Sequence, residues 1–113
     1  MEDSKKQILL NFFHTISVYY GSTTEITSGI YTIAENFDAK NTTWNLSEFE
    51  LIRSAFRNNG NRLMIEGYKM YYEFSAANII DFKNPKKHQY EIIEAYNGTT
   101  FRITKIKFRI PKK

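Results

Sequence analysis

Between Ser4 and Tyr20 apolar side chains recur every three or four positions. Ile8, Leu9, Phe12, Phe13, Ile16, Tyr19 and Tyr20 fall on one side of a helix with about 3.6 residues per turn. Ser4-Lys5-Lys6-Gln7 has the form of a capping box, in which Ser4 accepts from an amide of the first turn and Gln7 reaches back. Gly21 is a natural stop. His14 stands nearly opposite the stripe and is expected to face solvent. A second, shorter helix is predicted from Ser47. Ser47-Glu48-Phe49-Glu50 is again a capping box, and Leu46 and Leu51 are spaced for a hydrophobic staple. Leu51, Ile52, Ala55 and Phe56 would form its apolar side, and Asn58-Asn59-Gly60 would end it.

The intervening stretch is less periodic. Gly21 to Thr24 reads as a loop and Asp38 to Thr43 as a turn. Ile26 to Phe37 holds Ile30, Tyr31, Ile33 and Phe37 around Gly29, which fits a strand pair or a short helix joined to a strand, with strand favoured. From Arg62 the period becomes two. Leu63 and Ile65 share one face, and after Gly67 the phase changes so that Tyr68, Met70, Tyr72 and Phe74 share a face, which predicts a bulge or a turn at the glycine. Lys83-Asn84-Pro85-Lys86 reads as a turn.

His88 to Ile110 reads as one long hairpin around Asn97-Gly98, a pair suited to a tight turn with both residues at positive φ. In its second arm Phe101 and Ile103 have one parity and Ile106, Phe108 and Ile110 the other. A bulge near Thr104-Lys105 would restore one buried face and send Lys105, Lys107 and Arg109 together to the opposite side, about 6.6 Å apart. Arms this long are not stable alone in water, so a larger sheet is implied.

A long helix, an irregular segment, a shorter helix and a run of antiparallel strands make an α+β fold. The expectation is two helices packed on a curved antiparallel sheet that ends in a long C-terminal hairpin, forming a single domain over residues 1–113. This order of elements, from Ser4 to Ile110, resembles the nuclear transport factor 2-like family, whose sheet forms a cone around an N-terminal helix. A cystatin-like meander crossed by one helix is the alternative. Members of the cone family include enzymes, binding modules and dimerisation modules. The resemblance implies an interior that could hold an acid, a base or a tyrosine, for which Tyr31, Glu66, Tyr68, Tyr72 and Glu94 are the candidates. No catalytic role transfers residue by residue.

Charge alters the picture at the C-terminus. Arg102, Lys105, Lys107, Arg109, Lys112 and Lys113 lie in the last twelve residues without an acid, whereas the rest of the chain holds ten bases against twelve acids. Such asymmetry suits an acidic protein surface or a phosphate backbone, and equally a charged sheet face that resists aggregation. Cysteine is absent, which excludes thiolate chemistry and disulfides and suits a reducing compartment such as the cytoplasm. No apolar run reaches the roughly 18 residues of a membrane span. Met1-Glu2-Asp3-Ser4 lacks the basic start of a secretion signal, which leaves a secreted form with its signal removed as the alternative. Sequons stand at Asn41, Asn45 and Asn97.

Candidate chemistry is sparse. The chain has two histidines, His14 and His88, no nucleophile elbow, no clustered metal ligands and no glycine-rich phosphate loop, so no catalytic residue, metal or cofactor is expected. A buried pair such as Glu66 near Glu94 would be the enzyme reading. The favoured reading is a protein-interaction domain, homodimeric or serving as an antagonist of another protein. Tyr71 would be an exposed anchor, and Arg102, Lys105, Lys107 and Arg109 would face an acidic partner. The alternatives are nucleic-acid binding through the basic strand and carriage of a small ligand inside the roll.

Overall fold

The computed structural model describes residues 3–32, 42–57 and 62–109, with side chains from Gln7 onward. The Ser4 capping box, Ile33, Phe37, the turn expected from Asp38 as far as residue 41, the Asn58-Asn59-Gly60 stop and Ile110 lie outside the described residues.

The N-terminal stripe forms helix α1 (Asp3–Thr15), which tightens into a 3-10 turn over Ile16–Tyr19. Gly21 follows in the left-handed region (φ 89), where a Cβ would be strained, so the helix stops there. Leu9, Phe12, Phe13, Ile16 and Tyr19 are buried, while Ile8 and Tyr20 at the margins of the stripe remain exposed.

Eight strands are described: β1 (Thr23–Thr32), β2 (Thr43–Glu50), β3 (Arg53–Arg57), β4 (Arg62–Gly67), β5 (Met70–Ser75), β6 (Ile79–Lys86), β7 (Gln89–Ala95) and β8 (Thr100–Phe108). They form a five-stranded sheet in the order β2-β1-β8-β7-β6 and a three-stranded sheet in the order β3-β4-β5, with every pairing antiparallel. The chain is therefore α+β, as its pattern implies, but among the described residues there is one α-helix where two were expected.

The region of the expected second helix is extended. Ser47 to Glu50 belongs to β2, paired to β1 without interruption from Ile30↔Thr43 to Thr23↔Glu50, and Arg53 to Arg57 is β3. Capping signals act over four residues and are worth about 1 kcal/mol, too little against a full ladder and a half-buried face. Period-2 alternation is present in both strands: Ser47 and Phe49 are half-buried between exposed Leu46, Glu48 and Glu50, and Ser54 and Phe56 between exposed Arg53, Ala55 and Arg57.

Core residues come from the helix (Leu9, Phe12, Phe13, Ile16, Tyr19) and from both sheets (Ile26, Ile92, Ile106 and Phe108; Leu63, Ile65 and Phe74). Rings fill much of it. Phe12 lies 4.5 Å from Tyr90, 5.2 Å from Phe82 and 4.9 Å from Phe13, centroid to centroid, and Tyr19 stacks on Phe108 at 4.2 Å. Each such side chain contributes about 1.5–3 kcal/mol on burial, so the aromatic excess is spent largely on joining the helix to the sheets.

The turn at Gly67 is one of the two forms its phase change predicts, and the two later turns differ from the sequence expectation. At Gly67 the chain makes a turn through Tyr68 and Lys69, with Lys69 left-handed (φ 52), and Gly67 pairs with Met70. Lys83 to Lys86 continues β6, and the reversal comes at Lys87-His88, with His88 left-handed (φ 66). Pro85 is accommodated because β6 is an edge strand with a register shift between Lys83 and Lys86. Between β7 and β8, Tyr96 N donates to Thr100 O, and neither Asn97 nor Gly98 has positive φ. Asn97 acts through its side chain instead: Oδ1 accepts from the amides of Thr99 (2.8 Å) and Thr100 (2.7 Å).

β8 has no bulge. It pairs continuously with β1 from Thr24↔Phe108 to Thr32↔Thr100 and with β7 from Gln89↔Lys107 to Ala95↔Phe101. Arg102, Thr104, Ile106 and Phe108 therefore point inward, and Phe101, Ile103, Lys105 and Lys107 outward. The parity change arises because the inner face becomes polar toward Arg102, and a small apolar patch on the outer face takes Phe101 and Ile103.

Candidate functional site: the sheet edges and the outer face

Among the described residues the two sheets have four edge strands, β2, β6, β3 and β5, and an edge strand presents backbone groups that need partners. In β3 the Ser54 amide donates to the Tyr20 hydroxyl (2.8 Å), which also lies 2.9 Å from Ser54 Oγ, so the end of the helical segment caps that edge. In β5 the Ser75 amide donates to Glu94 Oε2 (2.9 Å), and Arg102 Nη2 donates to the Glu73 carbonyl (2.7 Å). In β6 the edge is broken by Pro85 and two register shifts and carries Lys83 and Lys86. β2 differs. Its eight residues pair with β1 in unbroken register, with no proline, no lysine and no bulge, and its outward row begins with Trp44 (38% exposed) and Leu46 (69% exposed).

The devices on β5 come from an interior polar cluster. Glu94 and Arg102 are cross-strand neighbours, and Arg102 donates to Glu94 Oε1 from Nε (2.8 Å) and Nη2 (2.6 Å). Tyr96 donates to Glu94 Oε2 at 3.0 Å. The guanidinium lies 4.9 Å from the Tyr72 ring and 5.6 Å from the Phe74 ring, and Tyr72 bonds Ser28 and Thr104 at 2.9 and 2.8 Å. Burial works against the Arg102 charge, but Glu94 and the tyrosines outweigh it and raise its pKa. Burial, with Glu94 beside it, pushes the Tyr96 hydroxyl up to about 12. The cluster joins the two sheets where their strands no longer pair.

Sequence-predicted site residues are thus redistributed. Tyr72 and Glu94 are interior, joined by Arg102, which its sequence neighbours place with the basic surface. Tyr31, Glu66 and Tyr68 are not interior. Tyr31 lies on the outer face of the five-stranded sheet, buried against Phe101 with ring centroids 5.4 Å apart, where burial and then Glu91 raise its pKa. Glu66 is on the outer face of the small sheet, hydrogen-bonded to Arg53, which lowers its pKa. Tyr68 is in the β4–β5 turn, 77% exposed. A Glu66–Glu94 pair is therefore absent. Tyr71 is exposed as expected, hydrogen-bonded to Glu73 on its own strand.

Lys105, Lys107 and Arg109 do share the outer face, but the tertiary pairing surrounds them with acids. Arg109 lies 2.6 Å from Glu25 and 3.8 Å from Glu48, and its hydrogen bond lowers the Glu25 pKa. Lys107 stands opposite Glu25, and Lys105 opposite Glu91 with its Nζ 5.6 Å from the Trp44 ring centroid. A groove of about 310 Å³ runs here, lined by Glu25, Thr27, Gln89, Glu91, Lys105 and Lys107. Contiguous positive charge in the sequence is alternating charge on the sheet.

One feature has no trace in the sequence, and a second is masked there by a competing signal. Tyr19 and His88, far apart in the chain, meet through the Tyr19 hydroxyl and His88 Nδ1 at 2.6 Å, while His88 Nε2 is buried without a partner. β2 was hidden by its capping signals, although the alternation of Trp44, Leu46 and Glu48 was there to be read. Among the described residues no group of three or more His, Asp or Glu is placed to hold a metal, and no helix is long and apolar enough to cross a membrane. No family model, curated protein or solved structure matches this chain.

Proposed function

We propose that this chain is a protein-interaction module that takes up an extended segment of another polypeptide on the β2 edge of its five-stranded sheet. The observation that carries this reading is the contrast between edges: β3, β5 and β6 each have a capping or blocking device, and β2 pairs in unbroken register beside exposed Trp44 and Leu46. Strand addition supplies affinity through main-chain hydrogen bonds and specificity through alternate side chains. The incoming strand would set an apolar side chain against Leu46 and satisfy the outward backbone groups of β2.

Charge on the outer face supports a protein partner over nucleic acid, because the bases of β8 lie among Glu25, Glu48 and Glu91. A phosphate backbone laid along them would also meet those carboxylates. The acidic partner expected from the sequence is not favoured by this arrangement either. The ring-packed core and the paired Glu94 and Arg102 give the interior reading less support than the edge.

The test is capture from a nuclease-treated native extract with tagged full chain and with its Leu46→Lys variant. A stoichiometric protein held by the parent chain and lost by the variant is expected. A partner held equally by both, or recovery of nucleic acid only, overturns the reading.

A further inference from the structure

Resting on that reading, we infer that the strand taken up by β2 is β2 of a second copy, paired antiparallel about a two-fold axis through Asn45. A two-fold normal to the sheet keeps the outer faces of both copies on one side, so each residue must meet one of the same parity. Three centres give a usable overlap, and side-chain chemistry separates them. Centring on Ser47 sets Leu46 against Glu48 and Trp44 against Glu50. Centring on Leu46 sets Leu46 against its own counterpart but Trp44 against Glu48. Centring on Asn45 sets Trp44 of each copy against Leu46 of the other and Thr43 against Ser47, and moves Glu48 out to face Thr42. Only the last pairs apolar with apolar and places no acid against a ring or an aliphatic side chain.

Two further observations favour a second copy over a flexible peptide. A peptide would lose conformational freedom on becoming a strand, whereas β2 is already held straight by its ladder to β1, so that cost is met on folding. The two acids of β2, Glu48 and Glu50, come at the C-terminal end of the strand, so antiparallel pairing carries the pair from each copy to opposite ends of the seam. Glu48 also has Arg109 3.8 Å away within its own sheet. The product joins the two five-stranded sheets along their β2 edges into ten strands, a closed two-fold assembly.

The absence of cysteine makes the register directly readable. The full chain and its variants Leu46→Lys, Asn45→Cys and Leu46→Cys would be compared by sedimentation equilibrium and by mild oxidation. Directly opposed positions in this register have Cβ atoms about 4.5–5.5 Å apart, within disulfide reach, whereas the two Leu46 positions are diagonal at about 7–8 Å. The expected result is a parent dimer, loss of dimer in Leu46→Lys, and a covalent dimer in Asn45→Cys in preference to Leu46→Cys. Leu46 is 69% exposed, so its replacement leaves the core intact, and circular dichroism checks this. A chain monomeric at every concentration, a dimer indifferent to Leu46→Lys, or no cross-link in Asn45→Cys overturns the inference. A monomer that still captures another protein through Leu46 sinks the second copy and leaves strand uptake standing.

Discussion

Glu94 and Arg102 stand opposite each other on β7 and β8, and the carboxylate, with no exposed surface, accepts the guanidinium Nε and Nη2 at 2.8 and 2.6 Å. Beyond the Tyr96 hydroxyl on Glu94, their remaining bonds go to backbone groups of β5, so one ion pair ties the two sheets together where no strands pair between them. Replacing Arg102 with Met leaves a buried carboxylate without its counter-charge and should cost about 3–5 kcal/mol. The double variant Arg102→Met, Glu94→Leu should recover part of that loss, since no charge is then stranded. Urea denaturation of the two singles and the double measures it, and additive losses would show that the two do not act as a unit.

Tyr19 gives the chain an alkaline limit. Burial, followed by the neighbouring Tyr90, pushes its hydroxyl up to about 12 from a usual value near 10. A raised folded pKa means that the stabilisation is fully present below about pH 10 and is lost as pH rises toward 12, because the unfolded chain ionises first. The loss should be about 2–3 kcal/mol. Tyr19→Phe should be less stable at neutral pH, through the lost bond to His88, and should show a shallower alkaline decline. An unchanged slope between pH 9 and 12 in that variant would assign the decline to another group.

Two glycines are held by close approach, and they should differ in cost. A Cβ on Gly67 would lie 2.7 Å from the Glu50 carbonyl oxygen and 2.6 Å from Phe49, so backbone must move. On Gly29 the nearest atoms all belong to side chains, those of Thr42 and Trp44, so the strain falls on side chains and not on backbone. Gly67→Ala should therefore cost about 2–3 kcal/mol and Gly29→Ala about 1 kcal/mol or less. Thermal melts of both variants check the order; Gly29→Ala as the worse of the two would contradict it.

Alternating charge on the outer face should make this chain a poor polyanion ligand despite its net charge of +4. Binding to short single-stranded DNA should be undetectable near physiological salt, and Arg109→Ala should change the weak low-salt binding little, because Glu25 and Glu48 already occupy that guanidinium. A salt slope corresponding to three or more phosphate contacts, reduced in Lys105→Ala and Lys107→Ala, would return nucleic acid to first place.

Much of this fold was already readable locally. The stripe from Leu9 to Tyr19, the stop at Gly21, the period-2 runs after Arg62 and the shared face of Lys105, Lys107 and Arg109 follow from periodicities of a few residues, which neighbours in space cannot alter. What the tertiary structure decided depended on partners far away in the chain. Ser47 to Glu50 has both a capping box and a strand alternation, and pairing with Thr23 to Ile26 selects the strand. Arg102 belongs by sequence to a basic tail, and Glu94 and Glu73 draw it inside. Lys107 and Arg109 carry the charge of an anion-binding strand until β1 and β2 bring Glu25 and Glu48 beside them. Helical and strand periods are set by backbone geometry and so are written in the sequence. The face a side chain occupies and the charge it meets are set by which strands pair, and that depends on the whole chain at once.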